Sequence, residues 1–353
     1  MNSDLNYITI SDYTTETGAL YNAIELSYEV FGKEIGSGAP VVLVCHALTG
    51  NSKVTGEKGW WNGIIGEGRL VDTNHYTIIG FNIPGNGYER DPSKLFDSPE
   101  DFSVRDIARL FGLSCKQIGV EKIDYAIGGS LGGGICWELA VLFGDYIGTI
   151  VPVASDWKAS DWVLAHNQIQ DQILKNSTNP LHDARMMAMM FYRTPQSFKK
   201  KFGRSRNAEK NMFNIESWLL HHGEKLVGRF YLQAYRLMNN LLSTLDITNG
   251  RGSLEEVALQ IKANVVMVGI DTDFFFVPDE NRETYEVFKK LGRQAKYKEI
   301  KSIHGHDGFL IEFEQLSELL ADTFNRTRRT ECGKTDNAGK SDETDRCKHR
   351  QLS

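Results

Sequence analysis

One serine, two acids and two histidines stand in this 353-residue chain at places from which they could transfer an acyl group. The run Tyr125-Ala126-Ile127 leads into Gly128-Gly129-Ser130-Leu131-Gly132-Gly133-Gly134, and the helical pattern ICWELAVLF follows at once. A serine between glycines where a strand turns into a helix has the form of a nucleophile elbow, G-x-S-x-G. Side chains at 128 or 132 would collide with the sheet or the helix, and glycine removes the obstruction. The N–H groups at the start of the following helix are aimed at the oxyanion that forms on an attacked carbonyl, and Leu131 supplies the first of them.

A serine hydroxyl is a weak nucleophile until a base takes its proton, and the base needs a third group to hold its tautomer. In this topology the chain order Ser, acid, His predicts both partners downstream. The apolar run 265–270 (VVMVGI) ends in Asp271-Thr272-Asp273, and the run AKYKEI before residue 301 is followed by His304-Gly305-His306-Asp307-Gly308. All four candidates lie in loops after strands, where α/β active sites gather. Their spacing leaves the choice within each pair open. His46, at the end of VVLVC, precedes the serine, so its chain position is wrong for the base. Its expected role is to anchor the loop HALTG, in which the backbone N–H of Leu48 is the second oxyanion donor.

The elements that must position these groups can be read from hydropathy. Runs at 41–45, 76–81 and 125–127, each followed by a glycine-containing turn, read as buried parallel strands. Runs at 149–153, 265–270 and 295–300 extend the set, and 101–118 carries apolar residues at helical spacing. Strands alternating with helices predict an α/β fold with a mostly parallel sheet covered on both faces. Residues 155–247 instead show long helical patterns rich in Met, Trp and Phe and no convincing strand. They predict a helical cap inserted into a core formed by 1–154 and 248–324. Residues 325–353 contain one large aliphatic side chain and read as a disordered tail.

A net charge of -6 gives no electrostatic footprint for nucleic acid or an anionic membrane, and neither is expected as a partner. The five cysteines show no CxxC spacing and are odd in number, which argues against a disulfide framework or structural zinc. The first residues lack a signal-peptide pattern, and no run of about 18 apolar residues occurs, so a cytoplasmic location is expected.

The motifs together resemble the homoserine O-acetyltransferases of the α/β-hydrolase superfamily. The resemblance is carried by CHALTGNSKVTG, GWWNGIIGEG, GGSLGG, SDWVLAHNQIQDQIL, HDARMMAMMFYRTPQSFKKKFGR, ESWLLHHGEKLVGRFYLQAYRLMNN, VGIDTDFFFVP and HGHDGFLIEFEQL. It covers about residues 20–322. It implies an α/β-hydrolase fold with Ser130 as nucleophile, Asp273 as orienting acid and His306 as base. It also implies Arg185 and Asp307 as ligands of the acceptor amino acid. The implied reaction is ping-pong acyl transfer from acetyl-CoA, as co-substrate, to the hydroxyl of homoserine. No metal or bound cofactor is implied, methionine biosynthesis is the implied context, and a homodimer built through the cap is the implied assembly. Two stretches depart from the family pattern, NIPGNGYERDPSK after the second strand and Gly133-Gly134-Ile135 past the elbow. They bear on the acyl pocket and leave open a succinyl donor; a serine acceptor is a separate alternative. An esterase or thioesterase using the same triad is the rival activity, for which the water-excluding cap is the expected discriminator. A binding protein on a catalytically dead fold is a third reading, against which the intact triad argues.

Overall fold

Alternation along the strands builds the molecule from its centre outward. In the computed structural model, which describes residues 4–324, Leu43 and Cys45 of β3 (Val41–Cys45) point to one side of the sheet while Val42 and Val44 point to the other. Strand β7 (Asn264–Ile270) repeats the pattern, with Val265 and Met267 on the first side and Val266 and Val268 on the second. Both faces of such a strand must be covered. On the first face lie α1 (Val104–Gln117) and α2 (Leu131–Phe143), and with them the cap; on the second lies α10 (Phe313–Phe324) with the loop around Trp61.

The remaining strands of the eight-stranded sheet are β1 (Asn6–Thr14), β2 (Leu20–Gly32), β4 (Thr77–Phe81), β5 (Ile123–Gly129), β6 (Ile147–Val153) and β8 (Ala295–Ile300). Their order is β1-β2-β4-β3-β5-β6-β7-β8. Strand β2 is antiparallel to both of its neighbours, and from β4 to β8 every pair is parallel. The order reverses around β3 and β5, so a crevice opens at their carboxyl ends, the position at which α/β sheets place their sites.

The antiparallel pair β1–β2 is an addition to the elements expected from the sequence. Its buried residues, Ile8, Ile10, Ile24 and Leu26 among them, alternate with exposed polar ones and give a weak signal. The cap comprises α3 (Asp161–Asn176), α4 (Pro180–Tyr192), α5 (Pro195–Phe202), α6 (Asn214–Val227) and α7 (Leu232–Ser243). Against the expectation of no strand there, Arg206–Asn207 pairs with Met212–Phe213 in a short antiparallel hairpin. The turn between them needs only Asn211 at positive φ, too local a feature for hydropathy to reveal. The cap leaves and rejoins the core through one neck, where Lys158 bridges Asp246, Ala159 N–H donates to Leu245 O (2.8 Å) and Ile247 N–H donates to Trp157 O (3.2 Å). After it, α8 (Leu254–Gln260) leads to β7, and α9 (Pro278–Lys290) connects β7 to β8. The tail at 325–353 lies outside the described residues.

Candidate active site

Only one residue separates the end of β5 at Gly129 from the start of α2 at Leu131, and that residue is Ser130. Its backbone sits at φ 56° and ψ −124°, a conformation that L-residues adopt only when their surroundings enforce it. The enforcement is visible. Ser130 N–H donates to Val153 O of β6 (2.9 Å), and a Cβ at Gly132 would come within 2.1 Å of Cys45 O on β3. A Cβ at Gly128 would come within 2.3 Å of Gly132 O. The elbow therefore closes only with glycine on both flanks, and it lifts the serine hydroxyl off the sheet toward the loops.

Two of those loops meet it. His306, in the loop after β8, places Nε2 2.9 Å from Ser130 Oγ, and its Nδ1 lies 2.7 Å from Asp273 Oδ2 in the loop after β7. The other oxygen, Oδ1, accepts the backbone N–H groups of Phe275 (2.6 Å) and Phe276 (3.1 Å), which fixes the carboxylate. This arrangement has the Nδ1–H of His306 donating to the acid and leaves Nε2 free to accept the serine proton. All three side chains are buried; Ser130 is the most exposed of them at 6%. Phe275, Phe276, Phe309 and Tyr192 surround the His306 ring at centroid distances of 5.0, 5.9, 5.6 and 5.5 Å. An apolar sleeve of this kind keeps water from the base.

The alternatives within each pair separate on geometry. Asp271 Oδ1 accepts the N–H of Ser302 (2.9 Å), tying two loops together. His304 Nδ1 lies 2.9 Å from Ser197 Oγ and 3.2 Å from Arg193 in the cap. Neither reaches the serine. His46 is fully buried, with Nδ1–H donating to Ala47 O (2.8 Å) and Nε2 accepting Ile83 N–H (3.1 Å), and burial pushes its pKa down to about 4. It is a neutral clamp joining the loop after β3 to the loop after β4. The loop after β3 carries Leu48. Among the described residues neither Leu48 N–H nor Leu131 N–H has a hydrogen-bond acceptor, so both remain available to an oxyanion.

The two expected acceptor ligands flank Tyr192. Arg185, half-buried on α4, has its guanidinium 5.7 Å from the centre of the Tyr192 ring and no carboxylate within ion-pair distance among the described residues. Asp307 already has a partner, Arg193 Nε at 2.8 Å. Both charges act on the buried Tyr192 hydroxyl, whose pKa is raised by burial first and by Asp307, and lowered by Arg185. Sequence reasoning singled out neither Arg193 nor His166. The latter is buried on α3 with its ring 4.8 Å from Phe275 and 4.7 Å from Phe191, and its Nε2 has no partner among the described residues. The only signal for Arg193 was its place in the motif FYR. No group of His, Cys, Asp and Glu that could hold a metal occurs among the described residues.

Comparison with known proteins places this geometry in a lineage. A family model for the alpha/beta hydrolase fold matches residues 40–310. A homoserine O-acetyltransferase of Cyclobacterium marinum is 34% identical over 86% of this chain and 90% of its own length. One of Carboxydothermus hydrogenoformans is 30% identical over 89% of this chain and 93% of its own. The crystal structure of the Bacillus anthracis homoserine O-acetyltransferase superposes with a TM-score of 0.83 at 20% identity, covering 92% of this chain and 98% of that one. An acetylester hydrolase from Corynebacterium glutamicum superposes nearly as well, with a TM-score of 0.79 at 18% identity over 91% of this chain and 96% of that one. The hydrolase thus spans almost the whole of this architecture, and the presence of a cap does not by itself separate transfer from hydrolysis. Sequence does, and by similarity over most of its length the chain belongs to the homoserine O-acetyltransferase family of the α/β-hydrolase fold.

Proposed function

We propose that the protein transfers an acetyl group from acetyl-CoA to the hydroxyl of L-homoserine by a double displacement on Ser130. The observation that carries the reading is the relay from Asp273 through His306 to Ser130, buried beneath a cap that presents an unpaired arginine. Ser130 Oγ attacks the thioester carbonyl while His306 Nε2 takes its proton. The negative charge on the carbonyl oxygen is met by the N–H groups of Leu48 and Leu131. As the tetrahedral adduct collapses, the carbon–sulfur bond breaks and His306 returns the proton to the departing thiolate. Homoserine then enters, His306 deprotonates its hydroxyl, and attack on the acetyl-serine releases O-acetylhomoserine and restores Ser130. Arg185 receives the acceptor carboxylate, for which its planar fork is suited, and Asp307 faces the ammonium. No metal or bound cofactor has a part in these steps. The setting is methionine biosynthesis in the cytoplasm, by a homodimer joined through the cap.

The test is direct. Purified protein is offered acetyl-CoA or succinyl-CoA together with homoserine, serine or water alone, and both thiol release and O-acyl product are measured. Rapid O-acetylhomoserine formation with slow hydrolysis is expected. Thiol release that is equally fast without any amino acid would replace transfer by thioester hydrolysis.

A further inference from the structure

Beside the oxyanion loop, a cleft of about 200 Å³ opens between core and cap, lined by Thr49, Asn51, Asn86, Tyr88, Arg90 and Arg229 among others. Thr49 is the residue after Leu48, so the cleft begins one residue from a proposed oxyanion donor. Arg229, in the linker between α6 and α7, donates to Thr49 O (2.8 Å), and Arg90 reaches from the core to Gly228 O of the same linker. Each residue reaches the surface and spends one N–H on a carbonyl; neither has a carboxylate within ion-pair distance among the described residues. The acids flanking Arg90 in sequence are engaged elsewhere, Glu89 with Lys94 and Asp91 with Ser93.

Other unpaired cations act on this pair and on one another. Arg185 on α4, Lys201 on α5 and Lys225 on α6 also lack a carboxylate partner among the described residues, although the chain as a whole carries a charge of -6. They are near enough to act on one another. Partial desolvation, then Arg185 and Arg90, lowers the pKa of Arg229. His222 is pushed down to about 4 by burial, then by Arg185, His221, Lys225 and Lys201. A run of mutually repelling cations on an acidic protein costs stability unless an anion is to be met there.

We propose that the Arg90–Arg229 cleft binds the phosphorylated nucleotide end of the acyl thioester, and that the cap cations behind it draw that polyanion in. The inference rests on the transferase reading for its ligand. A carrier lying in this cleft would send its pantetheine arm along Thr49 and Leu48 toward Ser130, placing the thioester between the two oxyanion donors.

The experiment compares acetyl-CoA with S-acetylpantetheine, which has the same thioester and arm but no nucleotide phosphates, and adds direct calorimetric binding of adenosine 3′,5′-bisphosphate. In the native protein kcat/KM should favour acetyl-CoA, and raising the ionic strength should erode that preference. Arg90→Glu and Arg229→Glu should each reduce the ratio of the two kcat/KM values by about tenfold, mainly through KM, and weaken bisphosphate binding in step. A variant that merely disturbs the oxyanion loop lowers both activities and leaves the ratio in place, which would overturn the proposal. So would a native protein that uses both thioesters equally and binds no bisphosphate; acetylation of homoserine from S-acetylpantetheine would then leave the transferase reading standing. If neither thioester acylates Ser130, the transferase reading fails, and bisphosphate binding decides alone: binding lost in the two variants sustains the cleft, and no binding ends it.

Discussion

At the scale of single residues, the chemistry depends on a serine held where a serine does not rest easily. Backbone strain of this kind costs on the order of 1–3 kcal/mol. Ser130→Ala should give a folded protein with acetyl transfer reduced by about four to six orders of magnitude, measured as O-acetylhomoserine formed per enzyme. Retention of a tenth of the native rate would dismiss the relay. Ser130→Gly should be equally inactive yet melt at a higher temperature than Ser130→Ala, because glycine accepts φ 56° without strain. Arg185→Ala should lower kcat/KM for homoserine by roughly thirty- to several-thousand-fold, as loss of one partner of a desolvated ionic contact does. The first burst of thiol in a rapid-mixing experiment should survive it. An unchanged homoserine dependence in both Arg185→Ala and Asp307→Ala would remove the case for an amino-acid acceptor. Ser130 could be picked out from its flanking glycines together with the strand before it and the helix after it, since the elbow constrains sequence. Asp273 and His306 could be told from Asp271 and His304 only by resemblance, because the choice is made by backbone donors such as Phe275 N–H that leave no trace in spacing.

Among the elements, α2 shows what burial on all sides demands. Residues 131–140 are all buried, and among them is Glu138 at 1% exposure. Its carboxylate is held by Arg105 (3.2 Å) and Arg251 (2.7 Å), and Arg105 continues to Asn249 O (2.8 Å) just beyond the cap. Glu138→Ala would strand Arg251 and leave Arg105 with Glu16 alone, and a loss of about 3 kcal/mol is expected in denaturant unfolding. Acid should act on the loop after β3. His46 and His166 both titrate near 4 because burial penalises their charged forms, against an ordinary value of 6.5. Between those limits the unfolded chain takes up protons that the folded one refuses. Their stabilising effect is therefore complete above pH 6.5 and drains away as the pH falls toward 4, by on the order of 3 kcal/mol for a shift of this size. Asp156 opposes them. Burial raises it to about 6, so the fold gains stability as pH drops below 6. The half-buried His222 is lowered in the same sense, so the histidines outweigh the one acid, and the melting temperature should fall between pH 6.5 and 4.5, less steeply in His46→Asn and more steeply in Asp156→Asn. The parallel strands were readable as apolar runs because both their faces are covered. The edge pair β1–β2 was not, because half of its side chains meet water.

For the molecule as a whole, a homoserine O-acetyltransferase and an acetylester hydrolase both share this fold, so the architecture alone does not name the acceptor. The cap hangs from the core by the neck at Lys158 and Asp246. In terms of inheritance, that neck makes the cap a cassette. Its two ends are already paired, so a lineage can lengthen, shorten or exchange what lies between them without shifting the register of β6 or β7, and new acceptors can be reached without rebuilding the relay. The same logic predicts where the chain tolerates change. Two residues inserted in the turn at 208–211 should leave melting temperature and thioester cleavage near their native values. The same insertion between Trp157 and Lys158, within the paired residues, should unpair the neck and depress both. Equal tolerance at the two sites would mean that the cap is fastened by its other contacts, and that its ancestry is tied to the core after all.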